Sequence, residues 1–84
     1  MDYVDGNALG GTFLELFGIE MTIATGVCAS CGRTGEVATL HVYLRAPGAV
    51  ARCPVCDSVL MKIVRSSDRT WLDFSGLRML EIRS

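Results

Sequence analysis

The motif Cys28-Ala29-Ser30-Cys31-Gly32 recurs in kind after a 21-residue gap as Cys53-Pro54-Val55-Cys56-Asp57, and it constrains this chain more than any other feature. A tetrahedral divalent ion needs four thiolates at about 2.3 Å, and two CxxC pairs at this separation match the spacing of four-cysteine metal sites. Each two-residue interior forms a tight turn, a knuckle, whose backbone N–H groups face the sulfurs and stabilise their charge. The residue after each pair has to accept a left-handed backbone. Gly32 does so without strain and Asp57 better than most residues, while Pro54 fixes one angle of the second turn. Four thiolates complete the coordination sphere and leave no place for water or substrate, so Cys28, Cys31, Cys53 and Cys56 read as ligands of one structural zinc ion. Iron suits the same tetrahedral sulfur set and is the alternative metal.

The chain needs such a staple. Its 84 residues make one domain, 1–84, and a domain of this size buries only about 60–65% of the surface its unfolded chain exposes. The metal adds on the order of 10–16 kcal/mol of apparent binding energy in small zinc domains. The start Met1-Asp2-Tyr3-Val4-Asp5 is acidic where a signal peptide is basic, and no apolar run reaches the length of a membrane span. The expected location is the cytoplasm, where reduced thiols bind metals in preference to forming disulfides.

Residues 7–17 are expected to form a helix. Asn7 serves as its N-cap, Leu9, Phe13, Leu16 and Phe17 line one face, and Gly18 provides a left-handed stop. Gly10 and Gly11 weaken it by about 1 kcal/mol each, so the helix must dock on something, first of all the sheet of its own chain. Residues 19–84 read as a zinc-ribbon sheet. Ile19 to Val27 is β-branched and reads as a strand entering the first cysteine pair. Residues 36–45 read as a strand with Ala38, Leu40, Val42 and Leu44 on one face and Val37, Thr39, His41 and Tyr43 on the other. Ala46-Pro47-Gly48-Ala49 has the composition of a type II turn, and Val50 to Arg52 leads into the second pair, so that the hairpin carries both knuckles to one end of the sheet. Strands at Val59–Val64, Thr70–Phe74 and Leu77–Ile82 follow, the last two separated by Ser75-Gly76. The fold class is a small, mainly-β zinc ribbon with antiparallel strands, preceded by a short N-terminal helix.

The remaining residues point to binding and not to catalysis. No catalytic triad, paired-carboxylate or phosphate-loop pattern is present, and the chain reads as a non-enzyme without a small-molecule substrate. His41, the single histidine, reads as a half-exposed strand residue, and Trp71 as a partly buried ribbon aromatic. All eight basic residues follow position 32, and seven of them are arginine. Arg33, Arg52, Arg65 and Arg69, with Arg45 beside them, form a candidate nucleic-acid contact set. However, the formal net charge is −1, and four thiolates around a divalent ion would take it to about −3, which opposes non-specific attraction to phosphate. Half the residues are hydrophobic, high for so small a domain, and some of that surface is expected to meet a partner protein or a second copy.

The stretches Asp2 to Gly11, Cys28 to Gly32, Arg52 to Cys56 and Arg69 to Asp73 resemble an uncharacterised family of short bacterial zinc-ribbon proteins. The resemblance spans almost the whole chain. It implies a zinc ribbon in which the N-terminal segment belongs to the working unit, and it carries no activity. A second resemblance is to the zinc domain of hydrogenase-maturation nickel chaperones. Their nickel-binding Met-His start is absent, since Asp2 follows Met1, so that resemblance does not imply nickel delivery. Taken together, the sequence reads as a protein-interaction module with one structural zinc. A nucleic-acid-binding regulator is the second reading, and a metal-handling or rubredoxin-like redox protein the third.

Overall fold

The computed structural model describes residues 3–45 and 48–82. Among them eight strands form two antiparallel sheets. The larger sheet has the order β1-β4-β5-β6-β7, from β1 (Val4–Asp5), β4 (His41–Arg45), β5 (Gly48–Arg52), β6 (Val59–Arg65) and β7 (Thr70–Asp73). The smaller has the order β3-β2-β8, from β2 (Thr25–Cys28), β3 (Thr34–Glu36) and β8 (Leu77–Glu81). The single expected sheet is therefore two, and each cysteine pair lies at the end of a different one. Strand propensity is local, whereas the choice of neighbour is made by packing, and the short break at Phe74–Gly76 lets β8 leave β7 and join β2 instead.

The N-terminal segment is helical from Gly6, first as a 3-10 turn (Gly6–Leu9) and then as α1 (Gly10–Phe17). Asn7 is not the cap. The Asp5 carboxylate accepts the Asn7 N–H at 3.0 Å, which moves the start upstream. Gly10 and Gly11 fall in the first turn of α1, where intrahelical bonds are few and glycine costs less. Gly18 ends the helix at φ 70°, its N–H donating to the Leu14 carbonyl at 2.8 Å. Leu9 and Phe13 enter the core, whereas Leu16 is half-buried and Phe17 is exposed, so the buried stripe is narrower than the periodicity suggests.

Two β-branched stretches fold differently from expectation. Met21–Ile23 is a 3-10 turn and the strand begins only at Thr25. Glu20 explains this: its carboxylate caps the Thr22 N–H at 3.4 Å and also accepts the Thr22 hydroxyl, bending the chain so that Met21, Thr22 and Ala24 turn inward. Likewise Val37–Thr39 is a 3-10 turn between β3 and β4, so residues 36–45 are not one strand. Val37 is buried there and its N–H donates to the Ala24 carbonyl at 2.9 Å. The expected alternation survives at Leu40 and Val42, which are buried, and fails at Leu44, which is 57% exposed. Leu44 borders an apolar cleft of about 280 Å³ between the helix and the larger sheet, which it shares with Leu9, Ala49 and Ile63. Of the expected turn at Ala46-Pro47-Gly48-Ala49, residues 46 and 47 lie outside the described residues, and Gly48 and Ala49 are not turn residues but belong to β5, opposite Arg45 and Leu44.

One core joins these parts. Phe13 is fully buried, with Leu9, Met21, Val37, Leu40, Val42, Ala51, Leu60, Met61 and Ile63 around it. It brings the helix, all three 3-10 turns and strands β4 to β6 together, and the two inner cysteines, Cys28 and Cys53, belong to the same cluster.

Candidate metal centre

Two backbone turns of matching geometry build the site. In the first, Cys28 closes β2, its N–H donates to the Arg33 carbonyl at 2.9 Å, and the Gly32 N–H returns to the Cys28 carbonyl at 3.0 Å. In the second, Cys53 follows β5, its N–H donates to the Ser58 carbonyl at 2.9 Å, and the Asp57 N–H returns to the Cys53 carbonyl at 2.9 Å. Gly32 and Asp57 close these turns with φ of 78° and 64°, and Asp57 is the one non-glycine residue with positive φ among those described. Within each turn an N–H faces the inner sulfur: Cys31 N–H lies 3.5 Å from Cys28 Sγ, and Val55 N–H lies 3.4 Å from Cys53 Sγ.

These turns bring Cys28, Cys31, Cys53 and Cys56 together, with all four sulfurs within 4.8 Å of one another. Cys28 and Cys56 Sγ are 3.6 Å apart, and Cys31 and Cys53 Sγ are 3.7 Å apart. A tetrahedron with bonds of about 2.3 Å to a central ion has edges of about 3.8 Å, so the quartet fits one ion of zinc's size. All four cysteines are free of disulfide bonds. In each pair the first cysteine is buried and the second is exposed. The ion would thus sit at the seam of the two sheets, one side against the core and the other near solvent.

The electrostatics of the thiols show how the quartet shares protons. The Ser58 hydroxyl, 3.3 Å from Cys56 Sγ, together with the Ser58 N–H, draws the Cys56 thiol down to about 6 against the opposing loss of water. The Cys31 thiol goes the other way. The Arg33 N–H lowers it, but loss of water and the sulfurs of Cys56, Cys53 and Cys28 outweigh that bond and push it up to about 11. One sulfur carries charge readily and its neighbour is then penalised, a conflict that a central dication removes.

Gly76 locks the seam. Its carbonyl accepts the Ala29 N–H at 2.9 Å and its N–H donates to the Leu60 carbonyl at 3.2 Å, joining the first cysteine turn to β6. A Cβ at this position would run into the Val59 carbonyl. Position 76 was legible in the sequence only as a strand break. Its role as a tie depends on a close backbone approach that no local pattern encodes.

The arginines do not assemble. Arg33 donates to Thr39 Oγ1 at 3.0 Å, and Arg65 pairs with Glu15 at 3.3 Å on the helix side of the larger sheet. Arg52 lies on the opposite face, 5.7 Å from the Tyr43 ring centroid, and donates to the Asp57 carbonyl at 2.9 Å. Arg69 is exposed at the β6–β7 hairpin. The structure instead pairs Arg52 with Arg45 along a shallow groove of about 490 Å³ that includes Tyr43 and Asp57. His41 is half-buried and stacks on Tyr3, ring centroids 3.9 Å apart. Trp71 is 52% exposed, more open than a partly buried ribbon aromatic. No helix among the described residues is long and apolar enough to cross a membrane.

No curated protein and no solved structure matches the chain. A family profile, however, matches it over residues 1–84, the cysteine quartet and the N-terminal helix included. On that match the chain belongs to DUF6510, a family of unknown function.

Proposed function

We propose that this chain is a non-enzymatic zinc ribbon, a protein-interaction module whose two sheets are held in register by one structural zinc bound to Cys28, Cys31, Cys53 and Cys56 through two knuckles. The observation that carries the reading is the closure of a four-sulfur cluster between strands of different sheets. Four thiolates leave no open coordination position, and a closed sphere is the mark of a structural site. Burial of Cys28 and Cys53 within the core argues against a metal that exchanges readily, and zinc needs no redox partner where iron would serve one. The scatter of the arginines argues against a nucleic-acid role. The interaction role is supported by the large apolar side chains left at the surface, among them Leu14, Leu44, Trp71, Leu72 and Met79. A small domain that exposes so many large apolar groups benefits from covering some of them.

Metal analysis and cross-linking test the two halves of this reading. The purified chain should be colourless and contain one zinc per polypeptide, and Cys53→Ser should abolish metal binding and with it the order of the smaller sheet. A red, iron-loaded protein would replace zinc by iron. Cross-linking of the zinc-loaded chain in a lysate of the cell that encodes it should join it to a protein, itself included. A chain that joins to nothing would end the interaction reading.

A further inference from the structure

Among the described residues, the outer edge of β7 offers unpaired backbone groups in a self-complementary order. β7 ends the larger sheet, pairs with β6 alone among the described residues, and is exposed along all four of its residues. The hairpin before it fixes which groups are free. The Ser66 N–H donates to the Arg69 carbonyl at 2.8 Å, so Ser66 and Arg69 form a hydrogen-bonded pair. Antiparallel pairs alternate between bonded and non-bonded. Arg65 faces Thr70, Val64 faces Trp71, Ile63 faces Leu72 and Lys62 faces Asp73. It follows that Trp71 and Asp73 bond to β6, while Thr70 and Leu72 turn their N–H and C=O groups outward.

We infer that this edge pairs with the same edge of a second copy of the chain, β7 to β7 antiparallel, about a two-fold axis through Trp71. This rests on the interaction-module reading and names its partner. In that register Thr70 of each copy faces Leu72 of the other, and the two pairs form four backbone hydrogen bonds. Trp71 faces Trp71 of the second copy in a non-hydrogen-bonded pair, where side chains approach most closely. Arg69 faces Asp73 of the second copy on the same face as the tryptophans, so unlike charges meet twice. A shift by one residue would set outward groups against inward ones. A shift by two in either direction parts Arg69 from Asp73 and sets Thr70 or Leu72 against residues outside the strand. Trp71 and Leu72, 52% and 38% exposed, flank the edge on opposite faces, and pairing covers both. Outward N–H and C=O groups at a sheet edge are a template for pairing with another chain, and this edge carries the charge pattern for pairing with itself.

Light scattering of the zinc-loaded full chain over a concentration series tests the inference. The wild type should be a dimer. R69D and D73R should each weaken dimerisation about tenfold or more, because each replaces two attractive cross-strand pairs by repulsive ones. An equimolar mixture of the two should recover the wild-type affinity, since the carboxylate introduced by R69D in one copy then faces the guanidinium introduced by D73R in the other. Leu72→Pro removes an outward N–H and leaves the β6 ladder intact. It should also give a monomer with unchanged zinc content, and it serves if D73R, which loses a turn contact, fails to fold. A monomer at every concentration overturns the inference, as does a dimer indifferent to R69D and Leu72→Pro. In the second case the interaction reading survives with a different surface. A monomer that cross-links through β7 to another protein likewise overturns the second copy as partner and spares that reading, whereas a monomer that joins to nothing ends both.

Discussion

Removing the metal should unfold the smaller sheet before the larger one. The two sheets draw on different sources of stability. In the larger, β5 and β6 carry Ala51, Leu60, Met61 and Ile63 into the core around Phe13. In the smaller, Cys28 is the only residue of β2, β3 or β8 that is fully buried, and it is one of the proposed ligands. A chain of 84 residues has a total folding free energy of roughly 4–13 kcal/mol at the usual value per residue. A structural zinc site contributes on the order of 10–16 kcal/mol, so its loss is comparable to the whole. The buried core keeps a residue of order around strands β4 to β6, whereas β2, β3 and β8 are otherwise held only by the partly buried Leu77 and Leu80 and by the backbone bonds of Gly76. The assay is amide hydrogen exchange on zinc-loaded and chelator-treated protein at neutral pH. Amides of Gly26, Val27 and Met79 should lose protection completely on chelation, and those of Val50 and Met61 only in part. Equal protection at Val27 and Met79 with and without metal would refute the reasoning, and so would an unchanged thermal midpoint.

Three further outcomes follow from particular contacts. Phe13→Ala should cost about 3–5 kcal/mol, because the ring is fully buried and large-to-small changes leave a cavity; denaturant melts of the zinc-loaded protein measure it, and a cost under about 1 kcal/mol would place the helix outside the core. Gly76→Ala should destabilise by about 1–3 kcal/mol, since its Cβ would meet the Val59 carbonyl and force backbone movement, and slower zinc uptake should accompany the lowered melting midpoint. Asp73 is held below its ordinary 3.8 by the Ser75 hydroxyl and N–H and by the nearby Lys62 charge. A depressed carboxylate stabilises the fold above its unfolded value, and that contribution is lost as pH falls through the folded value. The melting midpoint of Asp73→Asn should therefore lie below wild type at neutral pH and converge with it in strong acid.

The candidate ligands were legible because ligand spacing is a local code. Two residues between cysteines, with Gly32 and Asp57 just behind, specify each turn with no help from the rest of the chain. Strands β6, β7 and β8 were legible for a similar reason, as β-branched and apolar runs punctuated by Ser66 to Arg69 and by Ser75-Gly76. Ile19 to Val27 misled because its β-branched residues favour a strand only where the backbone is free to extend, and Glu20 binds Thr22 and bends it. Residues 36–45 misled because the Val37 N–H donates to the carbonyl of Ala24, thirteen positions away, a bond that alternation cannot foresee. The division into two sheets was hidden altogether. It depends on Gly76 fitting between the first cysteine turn and β6, and a glycine in a strand break looks the same whether it is a spacer or a tie.

The position of Phe13 bears on the order in which the parts can form during synthesis. The aromatic ring is made early, yet the side chains that enclose it, Val42, Leu60, Met61 and Ile63 among them, are added some thirty to fifty residues later. A nascent chain therefore carries an amphipathic, glycine-weakened helix with only its near neighbours Leu9 and Met21 to pack on until β6 has left the ribosome. The ring of Phe13 is thus enclosed only once the strand that carries Met61 and Ile63 is in place.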